Sequence, residues 1–289
     1  MNLNNPRWWL DRINRGLKCI NLRLDSLTAS RAESRRLADA DQRQWFTRAV
    51  YPVPASFRSA FRQTLLSELT QHRVRFKSFL RATDNDVGYQ FENPYFTSPD
   101  AEILYTIMRR LKPRRVLEIG CGHSTKVIHQ AIKDGGFPCE HTCIDPHPRQ
   151  DVSRLADVVI AKRIETMAVD ELAGRLAAGD VLFIDTSHEV KAANDVAFIY
   201  GCLLPAIVPG VVVHIHDIFL PYEYPYEWVT ELGYDWAELH VVQVMLTMSD
   251  HWEVLWPGYY LQRTMPDFNA HFTDVRGHFA QSLWLRKLK

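Results

Sequence analysis

Val116-Leu117-Glu118-Ile119-Gly120-Cys121-Gly122-His123-Ser124-Thr125 reads as a strand, a tight turn and the start of a helix. The apolar, partly β-branched run suits a strand buried on both faces, and a helix-period pattern follows it. Gly120 and Gly122 lack a Cβ, so the backbone between them can bend sharply and come close to a ligand. Junctions of this kind are where open α/β sheets bind nucleotide-like molecules. Position 125, where a dinucleotide fingerprint has Gly or Ala, is Thr125, and the Gly-Lys-Ser/Thr ending of a triphosphate loop is missing. Glu118, two residues before the first glycine, suits a cationic ligand better than a pyrophosphate.

Helix and strand patterns alternate from Ser98 onward. Ser98-Pro99-Asp100 predicts a helix to about Leu111, with Ser98 as N-cap and Pro99 at its first position. Strands are predicted at Arg115–Ile119, His141–Ile144, Asp157–Ile160 (weakly), Val181–Ile184 and Val211–Ile215. Helices fall at Ser124–Asp134, Val169–Ala178 and Val190–Leu204, and Trp252–Leu255 with Ser282–Leu285 forms a closing antiparallel pair. The fold class is therefore α/β: a Rossmann-like doubly wound, mostly parallel sheet with an antiparallel last strand, plus an N-terminal helical region.

That N-terminal region is basic. Residues 1–81 hold 16 Lys/Arg against 6 Asp/Glu, although the whole chain is balanced at 34 of each. Leu10, Ile13, Leu17, Ile20, Leu24 and Leu27 form a helical apolar seam too short for a free coiled coil. It is read as a docking helix, on the main domain or on a second copy in a homo-oligomer. Trp8-Trp9 beside basic residues also admits peripheral membrane contact. No recognition module accompanies the charge, so nucleic acid is not expected as a partner. A second helix is read over residues 30–48, and a third over 56–81 with Phe57, Phe61, Leu65, Leu69 and Phe76 facing inward. There is no apolar run of membrane-spanning length and no leader-type segment, and the five cysteines lack zinc-type spacing; a cytoplasmic protein with reduced thiols is expected.

Chemistry-bearing residues gather at the predicted strand ends. Asp145, ending strand 2 about 25 residues past the glycine turn, stands where a carboxylate can accept both hydroxyls of a ribose. Asp185-Thr186-Ser187-His188 ends strand 4, and His214-Ile215-His216-Asp217 ends strand 5. Neighbouring parallel strands would bring Asp185, His188, His216 and Asp217 into one crevice. There an imidazole could take a proton, or the group could hold a divalent metal. His214 is expected on the opposite face of the sheet from His216. The aromatic segment Phe219–Trp228 is read as an acceptor wall, a lid, or packing over the sheet edge.

Glu118-x-Gly120-x-Gly122 after a strand resembles motif I of the class I S-adenosylmethionine (SAM) methyltransferases. Asp-Val-Leu-Phe-Ile-Asp-Thr-Ser-His, with Pro-Gly-Val-Val-Val-His-Ile-His-Asp, is similar to a subgroup found with sugar, polysaccharide and natural-product pathways. Asp185-x-x-His188 also resembles macrolide-sugar O-methyltransferases, in which that Asp is a magnesium ligand and that His the proposed base. The resemblance implies a SAM-dependent O-methyltransferase domain over 93–289, acting on a small hydroxylated acceptor, with 1–92 as a helical docking or oligomerisation region. It implies Glu118, Gly120, Gly122 and Asp145 for SAM, and His188 as base with Asp185 and Asp217. His216 replaces the first acid of the expected metal pair, so a metal on Asp185, His216 and Asp217 could be Mg, Mn or Fe. Trp236-Ala237-Glu238-Leu239-His240 is similar to a Trp-Asn-Glu-Gln-Tyr segment of the subgroup, with Glu238 near the pocket and no role assigned. The rival readings are an iron-dependent oxygenase-type enzyme on the same fold and a non-catalytic partner acting through its N-terminal helices.

Overall fold

The computed structural model describes residues 13–18, 27–58, 61–81, 87–148 and 151–289. Most of the predicted seam helix, with Trp8-Trp9, therefore lies outside the described residues. In chain order the helices are α1 (Leu27–Gln42), α2 (Phe61–Leu69), α3 (Arg73–Ser78), α4 (Asp100–Leu111), α5 (His123–Gly135) and α6 (Val169–Ala173). They continue with α7 (residues 195–206), α8 (Tyr226–Thr230), α9 (Glu238–Met248) and α10 (Gly258–Thr264). The strands are β1 (Arg115–Ile119), β2 (Glu140–Ile144), β3 (Val158–Ile160), β4 (Val181–Ile184), β5 (Val212–Ile215), β6 (Trp252–Pro257) and β7 (Leu283–Lys287).

All seven strands form one sheet in the order β3-β2-β1-β4-β5-β7-β6. β1 to β5 pair in parallel, and β7 enters antiparallel between β5 and β6. β1 and β4 form the centre, where Val181, Leu182, Phe183 and Ile184 are fully buried. Continuous apolar runs of this kind mark strands covered on both faces, each such side chain contributing about 1.5–3 kcal/mol. β3 has only three residues with Val158 and Val159 partly exposed, as its weak pattern implied. Among the described residues no helix is long and apolar enough to cross a membrane.

Two compact units divide the chain. The smaller takes in Met1–Arg48 and Tyr224–Tyr234, where α1 and α8 meet and the Phe46 and Tyr226 rings lie edge to face at 5.2 Å. The larger comprises Ala49–Glu223 and Asp235–Lys289. The division thus falls elsewhere than the expected 92/93 boundary. Residues 55–58 and 61–78 form short helical pieces, and Leu65, Leu69 and Phe76 share a core with α4, α5 and the sheet.

The start of α4 differs from its expected cap. Pro99 occupies the N-cap position, and the Ser98 hydroxyl donates to the Glu102 carboxylate instead of accepting from a helix N–H. Glu102 is fully buried and also accepts from the Thr273 backbone N–H at 3.0 Å. Burial outweighs these bonds and pushes its pKa from 4.5 up to about 7. Between those two values the unfolded chain has lost the proton and the folded one keeps it. Stability therefore falls as pH rises through this window, by about 3 kcal/mol in total. Glu102→Gln is expected to exceed the wild type in urea resistance at pH 8 and to lose that advantage at pH 4.5; equal midpoints at pH 8 would refute this.

Candidate active site

The strand ends meet along the carboxyl edge of β2, β1, β4 and β5. Gly120 has φ +82°, and a Cβ there would lie 1.7 Å from the Asp185 carbonyl oxygen. Any side chain would thus drive the glycine turn into the end of β4, so glycine is required by both space and backbone. Thr125, standing where a third glycine was absent, secures the turn to the helix that follows it. Its hydroxyl accepts from the Gly122 N–H at 3.0 Å at the start of α5.

Asp145 stands at the end of β2, half-buried beside this turn. Its Oδ2 accepts from the Cys121 N–H at 3.0 Å and its Oδ1 from the His147 N–H at 2.8 Å. Glu118 is placed differently from a ligand-facing acid. It is fully buried, and its oxygens are taken by neighbours: Oε1 by the Ser124 hydroxyl at 2.6 Å, Oε2 by His141 Nε2 at 2.9 Å and Cys143 Sγ at 3.3 Å. Burial works against a charge on His141, but its Cys143 and Glu118 partners prevail and raise its pKa to about 10. The sequence alone did not reveal this pair. Its signal is the β1/β2 register, which sets Glu118 beside Cys143 with His141 two residues earlier on the same face.

The second constellation centres on His188. Its Nε2 lies 3.3 Å from Asp185 Oδ1 and 3.2 Å from Asp217 Oδ2, while Nδ1 donates to Glu238 Oε2 at 2.8 Å. The residue is 3% exposed. Burial disfavours its charge, yet bonds to Asp185 and Glu238 and the nearby Asp217 raise its pKa well above the ordinary value. Asp185 is held down at about 2, its lost hydration outweighed by the His216 and His188 imidazoles. Asp217 goes up, chiefly through burial; its Oδ1 accepts from the Gln281 side-chain amide. His188 (φ +57°) and Asp217 (φ +56°) both adopt left-handed backbone conformations, which β-carbons disfavour and which concentrate at functional sites.

His216 does not join this group. It is buried, with its ring 4.9 Å from Phe96 and 5.5 Å from His214. The placement of His214 is a correction: it lies on the same face as His216, because residues two apart on a strand point the same way. Burial keeps its pKa well down, and its ring stacks on Phe183 at 3.9 Å. The donor atoms that converge are those of Asp185, His188 and Asp217, all within 4.8 Å of one another. Two oxygens and one imidazole nitrogen form a donor set that divalent Mn, Fe or Zn accepts, with His188 in place of the expected His216. In the aromatic segment, Phe219 is buried against Tyr259 at 4.9 Å, which is packing at the sheet edge.

Residues 117–218 match a family model described as a methyltransferase domain, a span running from β1 through the end of β5. Over that span, about a third of the chain, the protein is similar to a methyltransferase domain. Among solved structures, the chain is similar to the Podospora anserina methyltransferase PaMTH1 bound to S-adenosylhomocysteine (SAH). Identity there is 15%, covering 93% of this chain and 98% of that one, with a TM-score of 0.42. It is also similar to a SAM-dependent methyltransferase from Archaeoglobus fulgidus, at 14% identity over 65% of this chain and 94% of that one, TM-score 0.32. The plantazolicin methyltransferase BamL, solved with a triazolic desmethylPZN analog and SAH, is similar at 14% identity over 78% of this chain and 99% of that one, TM-score 0.36. A search of curated proteins found no significant relative.

Proposed function

We propose that this enzyme transfers the SAM methyl group to a hydroxyl oxygen of a small molecule, a sugar or a natural product. The observation that carries the reading is the meeting of Asp185, His188 and Asp217 beside the glycine turn, with Gly120 against the Asp185 backbone. Gly120, Gly122 and Asp145 hold the cofactor, Glu118 bracing the turn from beneath through Ser124. Methyl transfer from a sulfonium is an in-line displacement, so the site serves chiefly to align the acceptor oxygen with the methyl carbon. His188 Nε2 takes the hydroxyl proton, and Asp185 and Asp217 orient the hydroxyl.

Although burial opposes it, the carboxylates around His188 favour its charged form. Base action therefore requires that Asp185 and Asp217 be neutralised first. A divalent cation held by those two acids would supply that neutralisation and lower the acceptor's pKa.

The test is product analysis after incubation with methyl-labelled SAM and a panel of free sugars, glycosylated macrolides and phenols. A base-stable methyl ether on a hydroxylated acceptor is expected. Label on nitrogen, on carbon or in a hydrolysable ester would overturn the oxygen assignment.

A further inference from the structure

We propose that Glu238, itself held by Tyr200, is the residue that positions His188, fixing which of its ring nitrogens faces the reacting groups. The inference rests on the reading above that His188 works at this site, and it adds two residues, neither of which lies at a strand end.

His188 is in a loop after β4, where a side chain would ordinarily sample several rotamers. Here it is held at both ends. Its carbonyl oxygen accepts from the Ala237 N–H at 2.8 Å and the Glu238 N–H at 3.1 Å, while its Nδ1 donates to the Glu238 side chain. The Trp236 ring closes over the imidazole, with centroids 4.4 Å apart. One short segment at the start of α9 thus supports the left-handed backbone of His188 and grips its ring.

Glu238 is fully buried with both oxygens engaged, Oε2 by His188 and Oε1 by the Tyr200 hydroxyl at 2.8 Å. A buried carboxylate without partners is costly, and here its partners connect the ring to a second element. Tyr200 lies in a π-helical turn, Ile199–Leu203, within α7. Such turns insert a residue into a helix and are frequent at functional sites. Because a carboxylate only accepts, Nδ1 carries a hydrogen, and in the neutral ring Nε2 is the bare nitrogen. Nε2 points at Asp185 and Asp217, so it is the nitrogen that gains or releases the proton while Nδ1 keeps its hydrogen. The Tyr200–Glu238–His188 chain therefore selects Nε2 for proton transfer or cation binding, as second partners of ligating or catalytic histidines do.

The deciding experiment is long-range 1H–15N spectroscopy of the full-length protein labelled at imidazole nitrogens, with the His188 ring assigned by its loss in His188→Gln. The wild type should show Nδ1 protonated with a low-field, hydrogen-bonded proton. Glu238→Gln should keep a proton on Nδ1 but move it upfield, because a neutral amide oxygen replaces the carboxylate. Glu238→Ala should lose the low-field, hydrogen-bonded signal altogether, and Tyr200→Phe should fall between Glu238→Gln and the wild type. With an acceptor in hand, Glu238→Ala should also lower kcat about 10–100-fold with the KM for SAM unchanged. A SAM titration of each variant verifies that it is folded; if Glu238→Ala does not fold, Glu238→Gln and Tyr200→Phe decide. A bare Nδ1 in the wild type, or His188 signals unmoved by Glu238→Gln and Tyr200→Phe, would overturn the proposal. Failure of the wild type to bind SAM would instead sink the methyl-transfer reading, leaving the ring signals to settle this one.

Discussion

His188→Ala is expected to lower kcat for methyl transfer by about 10²–10⁴-fold while leaving SAM affinity at the wild-type level. The division follows from the geometry. His188 sits against Asp185, Asp217 and Glu238, and none of its bonds reaches Asp145 or the glycine turn. Losing a group that acts only in the chemical step lowers kcat and kcat/KM together and spares cofactor binding. The alanine variant also leaves three acids around a void, and breaking a buried ion pair on one side costs about 3–5 kcal/mol. His188→Gln keeps much of the volume and one donor, so it separates loss of the base from loss of the fold. A kcat within tenfold of the wild type in a folded His188→Gln enzyme would exclude the histidine as proton acceptor.

Asp145→Ala should weaken SAM and SAH binding at least about 100-fold, read by calorimetric titration. Hydrogen bonds from neutral donors to a charged acceptor contribute about 1.5–3 kcal/mol each, and a ribose offers two hydroxyls. Asp145 also accepts from the Cys121 and His147 N–H groups, so its removal could loosen the turn as well. Asp145→Asn distinguishes the two effects, since an amide oxygen can still accept from one of these N–H groups. An affinity loss below tenfold for Asp145→Ala would remove the ribose role. Far greater weakening of Asp145→Ala than of Asp145→Asn would locate the main contribution in the turn.

Much of this architecture is legible before folding. The glycine turn, β1 and β4 announce themselves through contiguous residues: an apolar run, a carboxylate, and at position 120 a glycine where only glycine fits. Asp185 and His188 are legible too, lying three residues apart in one loop. The register of β1 against β2 is not legible, and so Glu118 reads as a ligand-facing acid when its oxygens are taken by Ser124, His141 and Cys143. His216 misleads for a similar reason. Adjacency to Asp217 suggests a shared site, but consecutive strand residues diverge, and the left-handed turn at Asp217 carries its carboxylate to His188 while His216 packs on Phe96.

The sequence by itself determined the α/β alternation, the nucleotide-type turn and the set of acids and imidazoles at the strand ends, because each is written in neighbouring residues obeying local periodicity and sterics. Only the tertiary structure decided which of them meet. Glu238 lies 50 residues from His188, Gln281 lies 64 from Asp217, and Glu238 lies 38 from Tyr200. No local pattern encodes such pairings; they arise when helices dock on the sheet and each buried charge must find a partner. The physical requirement that made the carboxylates converge on one imidazole is therefore satisfied by the fold as a whole, and by no segment of it alone.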